Sequence, residues 1–462
     1  MKLKFNNFPI SFSKREKVDH ADILPANGHD ICNYLARHGL ANLQIQTVLK
    51  FNGRLDFEKL VQAVNLSVEA EPVLGCRFIE GDPPYWKRTK DIDEARLCSI
   101  EEANNMEEAV NRFLESPLDM DKDPMVKVKL IRSGVNDTLC IKINHVCSDG
   151  GGAKEYIQLL SEIYSALDQE NGTFIPHPRI GGRKDQKKLF HSLGIKNRTA
   201  GWKPLKDAPK TFWIFPWKQS RTGSARFVIC RLSSDQLDVL SRYGKSKGAT
   251  INDLLLTAYY RAMFKISQPP YGVPMDITTT IDLRRYIPDQ KAEAIRNFSG
   301  GFKTSIPRIF GESFEGTLTR VVNKTNKIKS GKPGLQNAIG GECVELMSFP
   351  QINAAVKASS RISDLAKLSF VTGSTICSPG LSNLGFVSKS FIKFGENTVT
   401  DAYILPPAVR APGFLLLAST YNGIITLSAS YYKGSLRRKD AERLLRKIKD
   451  QLVKVCIQEE VK

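Results

Sequence analysis

His145 and Asp149, set four residues apart in His145-Val146-Cys147-Ser148-Asp149-Gly150, are the residues of this chain best suited to chemistry. A neutral imidazole titrates near physiological pH and can take a proton from a hydroxyl or an amine. The aspartate can orient the loop or the ring, and the glycines after it admit close approach of backbone or ligand. Alone, a short pattern of this kind also arises by chance, as a turn with a surface histidine and a capping aspartate. Cys147 lies between the two, so a Cys/His pair is a second chemistry to weigh. A thiol two residues from the ring on a tight loop is more readily turned away from it.

The flanking residues say what must position these groups. In residues 138–144, Leu139, Ile141 and Ile143 share one face and Cys140, Lys142 and Asn144 the other, the period of a strand. After Gly151-Gly152 the period changes. Ala153, Tyr156, Ile157, Leu160, Ile163 and Leu167 recur at helical spacing. The histidine and the aspartate therefore sit on a short polar loop between a strand and a helix, a common way to present reacting groups.

Four further stretches extend the pattern along the chain. They are Phe51-Asn52-Gly53-Arg54-Leu55-Asp56 with Pro72-Val73-Leu74 beyond it, Gly248-Ala249-Thr250-Ile251-Asn252-Asp253, Ile281-Asp282-Leu283-Arg284, and Ser382-Asn383-Leu384-Gly385. With the H-x-x-x-D-G loop they resemble, in order, the chloramphenicol acetyltransferase-like superfamily. That group includes carrier-protein condensation domains, wax ester and alcohol acyltransferases and plant BAHD acyltransferases. The resemblance implies an α/β (α+β) fold of two similar subdomains. Each is a mixed, mostly antiparallel sheet flanked by helices, with an active-site tunnel between them. It implies that His145 is the general base and that no covalent acyl-enzyme forms, since the donor is already an activated ester. It implies that Asp149 turns away from substrate and pairs with Arg284, with Arg285 as the neighbouring alternative, and that Gly150 supports the loop. Gly151, Asn297 and Asn383 are candidate substrate-binding positions, although Asn297 and Asn383 read equally well as turn residues in N-F-S-G and S-N-L-G. The oxyanion donor is left between backbone amides near Gly150 and Gly151 and a side chain from the second half.

Composition bounds the rest. A chain of 462 residues with 41% hydrophobic and 25% charged residues has the profile of a globular protein of two or three domains. No apolar run approaches the roughly 18 residues that span a bilayer. The start, Met1-Lys2-Leu3-Lys4-Phe5, does not read as a secretory signal. The nine cysteines are scattered, without a C-x-x-C pair, which points to a reduced, cytoplasmic chain. The 67 Lys and Arg against 48 Asp and Glu give a net charge of +19. That charge suits an acidic carrier protein, the phosphates of coenzyme A or an anionic membrane surface, and equally a surface that is simply basic. No nucleic-acid-binding motif accompanies it, so nucleic acid is not expected. No further histidine lies at ligand spacing from His145, so no metal site is expected.

Taken in order, Phe8-Pro9-Ile10-Ser11 resembles the family's opening segment. Asp56 reads as the N-cap of a helix bearing Leu60, Val61, Val64 and Val68. Residues 100–115 read as a second helix. Residues 178–212 carry ten Lys and Arg against two acidic residues and few apolar ones. They read as a partly mobile basic crossover, with a docking patch for phosphates as the sharper alternative. The expected organisation is a first subdomain over 1–177, the crossover over 178–212 and a second subdomain over 213–462. In the second half, Ser233-x-x-Gln236 and Thr250-x-x-Asp253 read as capping boxes. Asn422-Gly423 reads as the turn of a hairpin spanning residues 414–430, and residues 437–456 as a helix.

The functional expectation is a stand-alone acyltransferase. It would move an acyl group from acyl-coenzyme A, or from the phosphopantetheine thioester of an acyl-carrier protein, to a small alcohol or amine, with no bound cofactor. Peptide-forming condensation domains carry two adjacent histidines, and here Asn144 precedes His145. The D-F-G-W-G motif of BAHD enzymes is absent. O-acylation is thus the first expectation. A stand-alone amide-forming enzyme and a catalytically inactive binding protein are the alternatives, and peripheral contact with a membrane is left open.

Overall fold

The computed structural model describes residues 23–39, 41–89, 96–170, 172–181, 183, 186–196, 199, 213–218, 223–366 and 376–460. Residues 8–11 and 200–212 lie outside these.

Two large sheets organise the chain. The first has six strands in the order Lys393–Phe394, Asn397–Leu405, Gln44–Phe51, Asn136–Asn144, Val126–Ser133, Cys98–Glu102. Its pairs are antiparallel except the last. Helices Phe57–Ala70 and Gly150–Leu167 contribute Leu60, Val64, Tyr156, Leu160 and Ile163 to the core that also holds Leu139, Ile141 and Ile143. On the other face, Ala109, Val110 and Leu114 of helix Met106–Glu115 pack on Val48, Ile131 and Cys140. Asp56 caps the first of these helices, accepting from the Lys59 amide.

The second sheet runs Ser299–Pro307, Pro274–Asp282, Ile376–Phe386, Gly413–Tyr421, Ile424–Tyr432, Ala225–Leu232, with Trp213–Ile214 paired to Ile376–Phe386. The pairs that Ile376–Phe386 makes with Pro274–Asp282 and Gly413–Tyr421 are parallel. Both expected capping boxes are present, at Ser233 and Thr250. Asn422 and Gly423, with φ of 46° and 74°, form the hairpin turn; positive φ at both central residues is what an Asn-Gly pair supplies. A three-stranded sheet of Ile23–Pro25, Tyr85–Arg88 and Cys76–Ile79 completes the strands of the described residues.

Three expectations are corrected. Residues 393–405 fall in the range expected for the second subdomain, yet they join the first sheet, where Asn397–Leu405 pairs with Gln44–Phe51. That strand would otherwise present an open edge beside Asn136–Asn144. The stretch 100–115 is not one helix: Cys98–Glu102 pairs with Val126–Ser133, and Asn105 caps a helix that starts only at Met106. The described part of the basic crossover is more than a mobile connection, because some of its side chains enter the core. Arg183 is fully buried, and Leu189 and Phe190 pack with Ile281, Leu283, Phe298 and Ile339.

Candidate active site

Five residues separate the end of the strand Asn136–Asn144 from the start of the helix Gly150–Leu167. Asp149 is the N-cap of that helix and accepts from the Gly152 amide at 2.8 Å. Val146, Cys147, Ser148 and Asp149 are all buried, and His145 alone in residues 145–149 is not. His145 is thus the one side chain of these five that is partly exposed. His145 lines a cavity of about 130 Å³ together with Gly150, Gly151 and Lys154 of the helix. From the second half come Thr280, Asp282, Ser299, Ser382, Asn383 and Leu415. The cavity thus lies where the two sheets face each other.

Asp149 borders this cavity as well, but its carboxylate is engaged elsewhere. Its second carboxylate oxygen accepts from Arg284 Nη1 at 3.0 Å and from the Phe298 amide at 2.7 Å. Arg284 follows strand Pro274–Asp282, in the turn Leu283–Tyr286. Its Nε also meets Glu155 at 2.9 Å, and its Nη1 meets Asp282 at 3.2 Å. Both members of the Asp149–Arg284 pair are almost fully buried. Burial opposes the charge on Asp149, but the guanidinium and the two amide donors outweigh it and hold the carboxyl below its ordinary range. Gly151 lets the guanidinium approach: a Cβ there would stand 2.6 Å from Arg284 Nη1. Among the two arginine candidates, Arg284 is the partner of Asp149.

The histidine end of the loop is held differently. His145 Nδ1 lies 3.2 Å from Asn297 Oδ1. The Asn297 amide nitrogen donates to Val146 O at 2.6 Å and to Asp30 at 3.2 Å. Asp30 in turn accepts from Arg183 Nη2 at 2.8 Å and from the Trp86 indole at 3.0 Å. Asn297, Asp30, Arg183 and Trp86 are all fully buried. Residues 295–298 thus clamp the loop along its length. Ile295 O accepts from Arg183, Arg296 O from Arg284, Asn297 grips His145 and Val146, and Phe298 N reaches Asp149.

The remaining sequence candidates separate. Gly150 and Gly151 line the cavity. Asn383 lines it too, while its side-chain oxygen accepts from the Gly385 amide at 3.0 Å, so it is also a turn residue. Asn297 belongs to the support of His145, behind the cavity rather than in its wall. Cys147 is buried, its Sγ 3.1 Å from Asn144 O, and burial raises its thiol pKa. Asn144 is buried with its oxygen on the Val146 amide; the side chain before His145 is a turn-former outside the cavity wall. Sequence reasoning missed Asp30, Arg183 and Lys154. The Lys154 ammonium, its pKa lowered by burial, bridges to Leu384 O at 2.9 Å across the cavity edge. Among the described residues there is no group of three or more His, Cys, Asp or Glu that could hold a metal ion, and no helix long and apolar enough to cross a membrane.

The sequence model of the condensation domain matches residues 41–284, more than half of this chain, and the chain belongs to the condensation-domain family. An uncharacterised protein of Mycobacterium tuberculosis (strain ATCC 25618 / H37Rv) is 26% identical over 221 residues, 46% of this chain and 50% of that protein. Tyrocidine synthase 3 of Brevibacillus parabrevis is 24% identical over 229 residues, 46% of this chain and 3% of the synthase. The matched region thus spans about half the length of the mycobacterial relative and a small part of the synthase. Among solved structures, polyketide synthase associated protein 5 from Mycobacterium tuberculosis superposes with a TM-score of 0.67 at 13% identity, over 94% of this chain and 98% of that one. The trichothecene 15-O-acetyltransferase from Fusarium sporotrichioides does so with a TM-score of 0.66 at 12% identity, over 94% and 95%. These likenesses establish the fold.

Proposed function

We propose that this chain moves an acyl group from a thioester, on coenzyme A or on a carrier protein, to an alcohol or amine, with His145 as the general base. The observation that carries the reading is that His145 lines a cavity between the lobes and is the one residue of 145–149 that is not buried. The acceptor hydroxyl or amine gives its proton to the ring as it attacks the thioester carbonyl; the C–S bond then breaks, and the departing thiolate takes that proton from the ring and leaves as a thiol. The first helical turn leaves amides without intrahelical partners, and Gly150 and Gly151 of that turn line the cavity. These amides are the candidates to hold the carbonyl oxygen as it gains charge. Cys147 stays out of the path, so transfer is direct.

Asn144 does not line the cavity, so the residue before His145 does not separate O-acylation from N-acylation here. Acceptor class is therefore decided by experiment. Purified protein is incubated with a panel of acyl-coenzyme A and acyl-carrier thioesters against alcohols and amines, and thiol release is followed. Acceptor-dependent release supports the reading. No release above the uncatalysed rate across the panel overturns it in favour of a binding role.

A further inference from the structure

Resting on the general-base reading of His145, we propose that Asn297 is a positioning residue that keeps the ring proton on Nδ1 and so reserves Nε2 as the base. The Asn297 amide nitrogen faces Val146 O at 2.6 Å and Asp30 Oδ1 at 3.2 Å. Both are acceptors, so that end of the side chain must be the NH₂ group, which only donates. The end facing His145 Nδ1 at 3.2 Å is then the carbonyl oxygen, which only accepts. An acceptor at Nδ1 requires the hydrogen there. In the neutral ring the lone pair is left on Nε2.

The assignment is firm because the amide cannot turn over. Flipping it would set its oxygen against Val146 O and Asp30, two oxygens with no proton to share. Asp30 cannot yield either. Its carboxylate is held by Arg183 at 2.8 Å and the Trp86 indole at 3.0 Å, and its own amide and oxygen form the capping box with Asn27 that starts helix Gly28–Ala36. The result is a buried relay from imidazole to amide to carboxylate. The carboxylate steadies the amide without touching the ring. An isolated imidazole favours the hydrogen on Nε2, the form that could not accept the acceptor's proton there. Holding the other tautomer is therefore work that the protein must do.

The test reads the tautomer directly on the full chain. Histidine is labelled with ¹⁵N, and the long-range ¹H–¹⁵N pattern of His145 is identified by its loss in His145→Gln, since the chain has six histidines. The expected pattern is a protonated Nδ1 and an unprotonated Nε2 at a pH where the ring is neutral. A protonated Nε2 overturns the proposal. In Asn297→Leu, similar in size but without an acceptor, the pattern should shift toward protonated Nε2, and kcat should fall about 10–100-fold with little change in KM. An unchanged tautomer and unchanged kcat in folded Asn297→Leu also overturn it. Because the tautomer is read without turnover, the two readings fail separately. An Nδ1-protonated ring in a protein that releases no thiol upholds Asn297 and sinks acyl transfer. An Nε2-protonated ring in an active enzyme does the reverse.

Discussion

The two ends of the His145–Asp149 loop are secured by different physics. At Asp149 the partner is a full charge. Arg284 meets three carboxylates, and Asp149 takes two backbone amides besides. At His145 the partner is a neutral amide, and the nearest buried ion pair, Asp30 with Arg183, stands one residue further back. A carboxylate touching the ring would stabilise the imidazolium and so favour the protonated form, which cannot accept a proton. An amide fixes the ring with a smaller effect on its basicity. The loop is therefore anchored by charge where it must not move and by a dipole where it must react.

The sharpest break in that comparison is His145→Ala. It removes the reactive end and leaves the anchored end whole. Thioester turnover should fall about 100- to 10,000-fold, while the thermal unfolding midpoint stays near that of the parent protein. Near-parental turnover in a folded variant would remove His145 from the chemistry.

Next in size is the anchored end. Asp149→Ala and Arg284→Ala each break a buried pair and should each cost about 3–5 kcal/mol by denaturant unfolding. The double variant should lose clearly less than the sum, because the two share one interaction. It should not lose as little as one single change, since Glu155 and the Phe298 amide also lose a partner. The pH dependence has a definite sign. The Asp149 carboxyl is held below its ordinary value in the fold, so its contribution is complete above the unfolded value of about 3.9 and is lost as the pH falls through the lower folded value. The gap between parent and Asp149→Ala should accordingly close in acid. Additive losses at neutral pH would mean that the charges do not share their energy, and the cycle to run would then be Arg284 with Glu155.

A smaller perturbation tests the same anchor without removing a charge. Gly151→Ala places a methyl against the Arg284 guanidinium. The arginine must shift, at a cost of about 1–3 kcal/mol, and activity should fall because the helix start moves with it. A neutral Gly151→Ala would show that the guanidinium has room to give.

The comparison also explains what the sequence could tell. The strand, loop and helix around His145 were legible because each imposes its own period on neighbouring residues, and the capping boxes because they act over three residues. Arg284 was legible only through the family resemblance, since it lies 135 positions from Asp149. The Asn297 contact spans 152 positions and has no local signature; N-F-S-G reads as a turn whatever its side chain touches. Arg183 misled for a physical reason. A basic stretch looks solvated unless its carboxylate partner is known, and Asp30 lies 153 residues earlier. Strand Asn397–Leu405 hid its place in the same way, because its pattern shows that it pairs but not with which sheet. Lys154 carries no signal of its own in the sequence, and only the approach of Leu384 from the second half gives its ammonium a task.

The smallest expected effect belongs to Cys147, midway between the two ends. A nucleophilic cysteine needs a thiolate and access to substrate. Cys147 has neither, for burial raises its pKa and its side chain is 0% exposed. Its Sγ turns back to Asn144 O, within the core that also holds Val146 and Ala153. Cys147→Ala removes one buried atom, comparable to deleting a methylene, so stability should fall by about 0.5–1.5 kcal/mol. Turnover per folded molecule should be unchanged, and intact mass after incubation with an acyl thioester should show no adduct at this position in the parent protein. Lost activity in a folded Cys147→Ala protein, or an acyl group trapped on Cys147, would move the chemistry from the histidine end to the middle of the loop. His145 would then activate a thiol rather than the acceptor, and the contrast between a dipole-held base and a charge-held anchor would no longer describe how the loop works.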